Sequence, residues 1–255
     1  MGYPAAISII ALAALAAALA AILMHRFVEV DLRRVHHGAG SAVFLQLGVV
    51  FAVLLAFVFS EAWGEYNQAA AAIDLEVGAM HGVGMIAATL PAEQANAILS
   101  KERIYLESVV GREWPFMAAH RAEDPDTDLE LQALIQDVAN LKVSDDQYDK
   151  KSEMLSLLGE AHAQRETRIF QAGSGIPGAL WWVLIVFTIT LSLFVSLSEI
   201  PYRMSAAAIS ACFAAGIASI LVVARLLDYP FEGALGLRPD DFVAVVGKVS
   251  NLFVH

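Results

Sequence analysis

The chemistry open to this chain begins with carboxylates that have no cations near them in sequence. Between Arg34 and Lys101 there is no lysine or arginine, yet Glu61, Glu65, Asp74 and Glu76 fall in that interval. Glu61 follows directly on the apolar run Phe57-Val58-Phe59-Ser60. A carboxylate there is costly unless it faces water or an arginine from another helix. With about 100° per helical residue and Glu61 at zero, Glu65 lies near ~40° and Glu76 near ~60°. Leu47, Leu54 and Val58 lie at about 40°, 20° and 60°, on the same side. Two readings fit such a face. It is either a lipid-facing stripe that runs into solvated surface, or a pore wall. In the second case Leu47, Leu54 and Val58 line the pore, and Glu61 and Glu65 form acidic rings at its mouth. Rings of that sign favour cations.

Other clusters point to less. Asp124-Pro125-Asp126-Thr127-Asp128-Leu129-Glu130 has the look of a calcium loop. Such a loop needs glycine at its sixth position and glutamate at its twelfth. Leu129 and Ile135 stand there, so the acidic preference of a helix N-terminus accounts for the cluster better. His36 and His37 are adjacent and would point about 100° apart on a helix, too far to share an ion. His81, His120 and His162 are solitary. Arg103 and Arg165 have Glu107 and Glu166 as neighbours, which suggests solvated surface. The one cysteine, Cys212, lies in an apolar run, so neither an intrachain disulfide nor a thiolate metal site is expected. Nucleophile elbow, phosphate-binding glycine loop and zinc-protease motif are all missing. No enzyme, metal or cofactor is therefore expected.

The elements that must position these residues are membrane helices. Apolar residues make up 58% of the chain, and the mean hydropathy is +0.59, high for a water-soluble domain. Four segments have the roughly 20 apolar residues that a helical crossing takes: Tyr3–Met24, Ala42–Ser60, Gly178–Ser198 and Ser205–Leu227. The first lacks the Lys/Arg that precedes a signal-peptide core and is expected to be a retained span. Small residues at Ala207, Ala211, Ala215 and Ser219, and at Thr188, Ser192 and Ser196, would let helices approach closely, with hydroxyls bonding across the gap. Packing within one subunit is the favoured reading of these stripes. An oligomer contact or a pore wall is the alternative. The formal charge of −11 is uneven: residues 61–177 hold nine Lys/Arg against twenty Asp/Glu, while the remainder balances. That excludes a basic nucleic-acid footprint.

No charge break or proline interrupts Ala42 to Leu90, so the second span is expected to continue as one helix of roughly 70 Å. Trp63, Tyr66, Ala70, Ile73, Val77, Met80 and Gly84 would form its packing seam at 3-4 spacing, with Phe51, Leu55 and Phe59 turned toward it. Leu90-Pro91 ends it. A second helix is expected from Pro91 to about His120, with Pro115 as a kink. A third opens on the capping box Thr127-x-x-Glu130, and a fourth runs from Ser144 to about Gln171. A short amphipathic helix should follow Pro239, with Phe242, Val246, Val249 and Phe253 on one side. The expected fold is an all-α membrane protein with four transmembrane helices and an extramembrane helical bundle between the second and third spans. Its divisions are 1–63, 64–176, 177–228 and 229–255. Arg26, Arg33 and Arg34 in the first turn and Arg203 between the last two spans predict that both turns are cytoplasmic and the acidic domain external.

Several landmarks resemble the bestrophin-like family of bacterial membrane proteins. They are Leu90-Pro91, Glu113-Trp114-Pro115, Ser174-Gly175-Ile176-Pro177 before Trp181-Trp182, and Asp228-Tyr229-Pro230-Phe231-Glu232-Gly233 followed by Pro239. Together they span most of the chain. The resemblance implies kinship with bestrophins, ring-shaped homo-oligomeric ion channels whose second helix lines an apolar, aromatic-rich neck. Here Phe51 and Phe59 fall toward the packing seam instead. Bestrophins keep the domain between spans two and three in the cytoplasm, opposite to the arginine count. The expected function is a homo-oligomeric, cation-preferring pore in the bacterial inner membrane, whose partners are the lipid bilayer, inorganic ions and further copies of itself. The alternative is a non-conducting scaffold or sensor whose acidic domain binds a partner protein or small ligand.

Overall fold

The computed structural model describes residues 1–28, 37–198 and 200–253. Arg33, Arg34 and His36 lie outside the described residues, as does the side chain of His37. Among the described residues every regular element is helical: α1 (Tyr3–Phe27), α2 (His37–Ala87), α3 (Ala92–Ser108), α4 (Trp114–His120), α5 (Pro125–Ala139), α6 (Tyr148–Gly173), α7 (Gly178–Ser196), α8 (Arg203–Leu227) and α9 (Asp240–Ser250). A π-helical turn, Val109–Glu113, joins α3 to α4, and a 3₁₀ turn, Asp145–Gln147, precedes α6. Four helices are long and apolar enough to cross a membrane: α1, α2, α7 and α8. The chain forms two compact units, residues 1–64 with 175–228 and residues 65–174 with 229–255. The C-terminal turn and α9 thus belong to the second unit.

In the first unit α1 lies along α8. Ala6, Ala17 and Ala21 of α1 are buried, as are Ala206, Ser210, Ala214, Ala218 and Val222 at every fourth position of α8. Small side chains are what allow two backbones to approach so closely. The expected stripe, Ala207 to Ser219, lies one residue round, and of its members Ala207 alone is buried. Three of the four expected hydroxyls bond within their own helices. Those of Thr188, Ser196 and Ser219 donate to carbonyls four residues back in their own helices, at 2.8, 2.8 and 2.7 Å. Aromatic contacts complete the unit: Phe51 stacks on Phe187, and Phe44 meets Phe194 and Phe213.

The second unit is built on a core that includes Ile73, Met80, Leu99, Leu106, Leu134, Leu158 and Phe242. Its helix ends differ from expectation for local reasons. Asp124, not Thr127, caps α5: its Oδ2 accepts from the Thr127 backbone N–H at 3.1 Å, and Pro125 takes the first turn, where its missing donor costs nothing. Thr127 is itself buried, with its Oγ1 2.7 Å from Ser108 Oγ. The expected single helix to His120 is divided, because Pro115 has no N–H and crowds the carbonyl four residues before it. A π turn immediately upstream absorbs the misfit. Arg121 ends α4 at φ 56°, a costly conformation for a non-glycine residue. Its guanidinium lies 3.4 Å from the centre of the Tyr229 ring, and its Nε donates to Glu232.

Candidate functional site

One candidate site, in the first unit, is a face of α2. Leu45, Val49, Val53, Phe57 and Glu61 stand four residues apart and are all exposed on the protomer, with Val53 at 67% and Phe57 at 59%. The opposite face, with Phe51, Leu55, Val58 and Ala62, is buried. Of the residues expected to line a pore, Val58 is fully buried within the protomer. Leu47 and Leu54 are half-buried between the two faces. Glu61 is exposed. Glu65 is half-buried in the second unit, where its Oε1 accepts from Ser174 Oγ at 3.1 Å. Phe57 stands on the exposed row, about 40° round the helix from Glu61 on the side away from Glu65 and Glu76.

A separate candidate site lies in the second unit. Glu76 is fully buried and so turns its side of α2 inward. Arg168 of α6 grips it in a two-pronged contact, Nε to Oε2 at 2.8 Å and Nη2 to Oε1 at 3.0 Å. Nη2 also reaches Glu113 Oε2 at 2.7 Å, and Nη1 reaches Met117 Sδ at 3.3 Å. Arg165 takes the other oxygen of Glu113 at 2.5 Å and Asp128 Oδ1 at 2.8 Å. Tyr105 closes the cluster by donating to Glu76 Oε1 at 2.6 Å. Glu76, Glu113, Arg165 and Arg168 are all fully buried, two charges of each sign. Burial would by itself lower the pKa of Arg168, but Glu76 and then Glu113 outweigh it and hold the guanidinium charged. Burial, then the charge of Glu76, pushes the Tyr105 phenol well above its usual range, so it stays a donor. Arg165 is thus not solvated surface, whereas Arg103 is half-exposed beside Glu107, as expected. The packing seam shifts with Glu76. Ile73, Val77, Met80 and Gly84 are buried, but Trp63 is 49% exposed.

His162 is not solitary either. Its ring, Glu166 and Asp128 bring potential ligand atoms within 4.8 Å of one another. The cation serving these acids is Arg165, which bonds Asp128 and lies 3.8 Å from Glu166, while Gln132 takes the other Asp128 oxygen at 2.6 Å.

The landmark motifs also meet one another. Glu113 lies in the charge cluster. Trp114 donates to the Leu237 carbonyl at 3.1 Å and meets Phe231 and Phe242 edge-on. In the first unit Asp228 accepts from the Ile176 N–H at 2.7 Å and pairs with Arg225 at 2.6 Å. Compared with known families, residues 11–242 match the bestrophin-like domain. The chain belongs to the bestrophin-like family. Its fold is shared with solved variants of a bacterial bestrophin homolog from Klebsiella pneumoniae. One gives a TM-score of 0.75 at 18% identity, covering 96% of this chain and 98% of that one. Another gives 0.70 at 18% identity, covering 98% and 99%. Among curated proteins none matches the chain. This bestrophin-like chain is accordingly an all-helical membrane protein.

Proposed function

We propose that copies of this chain assemble around an axis as an ion-conducting pore of the bacterial inner membrane, with the row Leu45, Val49, Val53, Phe57 and Glu61 as its wall. The observation that carries this reading is the row itself: a continuous stripe of α2 that its own protomer leaves exposed and that ends in a carboxylate. Membership of the bestrophin-like family supports ion conduction. Val53 and Phe57 would form an apolar constriction, with Leu47 and Leu54 on its flank. Glu61 would repeat around the axis as an acidic ring at one end. Such a ring concentrates cations, and low-dielectric walls strengthen its field. The arginine of α8 closest in sequence to its membrane end, Arg225, is paired with Asp228.

The test is the reversal potential of the purified protein in liposomes under a salt gradient. Cation-selective wild type, and lower selectivity in Glu61→Gln, are the expected results. Anion selectivity, or an unchanged Glu61→Gln, removes the acidic mouth. A protein that is inserted and oligomeric but does not conduct favours the scaffold or sensor reading instead.

A further inference from the structure

Glu102 of α3 takes no part in the cluster around Arg168. It is fully buried, and neither carboxyl oxygen makes a hydrogen bond of good geometry among the described residues, the Gly84 backbone giving only weak compensation. It lies against Gly84 of α2 so closely that a methyl group there would meet its Oε2 at 2.9 Å and its Oε1 at 3.1 Å. A side chain at this point of the α2–α3 contact would have to displace the carboxyl group, which fills the space beside Gly84. Every other fully buried acid of this unit, Glu76 and Glu113, has an arginine. An isolated carboxylate in such a place is not tolerated, and the group takes a proton instead.

We propose that Glu102 is a proton-binding site: with the proton bound, α3 closes on Gly84 of α2, and when the proton leaves, this contact opens. The titratable and charged groups on the packed elements are Glu61, Glu65, Tyr66, Asp74, Glu76 and His81 on α2, Arg112 and Glu113 in the π turn, Asp126, Asp128, Glu130 and Asp137 on α5, and Asp240, Asp241 and Lys248 on α9, with Glu93, Lys101, Arg103, Tyr105 and Glu107 on its own helix. None of them governs its titration. Burial pushes the carboxyl up to about 8, and the Gly84 backbone opposes this only in part. The transition thus falls at mildly alkaline pH, and it acts on the helix that carries the exposed row. The inference does not depend on whether that row conducts.

The test is amide hydrogen exchange of the full chain in detergent, corrected for intrinsic rates, over peptides covering residues 79–106. Wild type should lose about a hundredfold of protection between pH 6 and pH 9, the ratio expected for a proton held with a pKa near 8 in the closed form and released in the open one. Glu102→Gln keeps the shape without the titration and should show the same protection at both values. Wild type with unchanged protection overturns the proposal, as does a Glu102→Gln protein that loses protection in parallel. Infrared difference spectra of wild type provide a readout that needs no variant. A protonated carboxyl band present at pH 6, lost by pH 9 and sensitive to deuteration supports the site, and its absence at pH 6 refutes it.

Discussion

Arg168 joins Glu76 to two groups that lie some 40 residues further along the chain, Glu113 and the sulfur of Met117. Its planar fork matches one carboxylate in two contacts and still reaches a second, which a lysine ammonium could not do. Removing one partner of a buried pair leaves the other charge without compensation, so Arg168→Met should cost roughly 3–5 kcal/mol. Arg168→Lys should recover only part of that. Thermal unfolding of the detergent-solubilised protein, followed by circular dichroism, checks both. Glu102 makes the opposite kind of contribution. Its unfolded pKa is near the ordinary 4.5, and folding raises it to about 8. The folded state therefore holds the proton more tightly. The associated stability is complete below pH 4.5, falls as the pH rises toward 8, and is then fully lost. Glu102→Gln should flatten this part of the pH–stability profile and leave the variant more stable than wild type at pH 8.5. A wild-type profile flat between pH 5 and 8 would contradict the assignment.

At the scale of elements, α2 is the piece on which both units depend, since residues to Gly64 lie in one and residues from Glu65 in the other. Its expected 3-4 seam held from Ile73 to Gly84 and slipped in phase toward Trp63, which is exposed. Period follows from the spacing of apolar residues along the chain. Phase depended on whether Glu61, Glu65 and Glu76 shared one environment, and they do not. Val77, Met80 and Ile73 are buried under either phase. Val77→Asp should therefore place an unpaired charge in the core and lower stability by about 3 kcal/mol or more. A melting temperature like that of wild type would show that the α2 core had been misplaced. Pro115 makes the same point at a shorter range. That it would disturb its helix was legible in the sequence. That the disturbance is a π turn ending at Glu113, whose side chain meets both arginines, was not.

For the molecule as a whole, sidedness is the open structural choice. Three basic residues in the first turn, Arg26, Arg33 and Arg34, favour a cytoplasmic turn and an external acidic unit. Ser152 is exposed on α6 and gives a direct reporter. In a Cys212→Ala background, Ser152→Cys should react with an impermeant thiol reagent added to intact spheroplasts. Labelling only after lysis would place the acidic unit in the cytoplasm, as in the bestrophins.

By itself the sequence determined what depends on short-range regularity. The four apolar runs became α1, α2, α7 and α8, because a backbone in hydrocarbon has no other partner for its polar groups than its own helix. The helical bundle, the amphipathic α9 and the landmark motifs were likewise legible, being local in spacing. Tertiary structure alone decided which carboxylates are solvated and which are buried. Glu76 and Glu113 go inward because Arg165 and Arg168, some 52 to 92 residues further on, meet them there. Glu102 goes inward without a cation because Gly84 leaves it room. Those pairings, absent from any local pattern, decide which face of α2 is buried from Ile73 to Gly84.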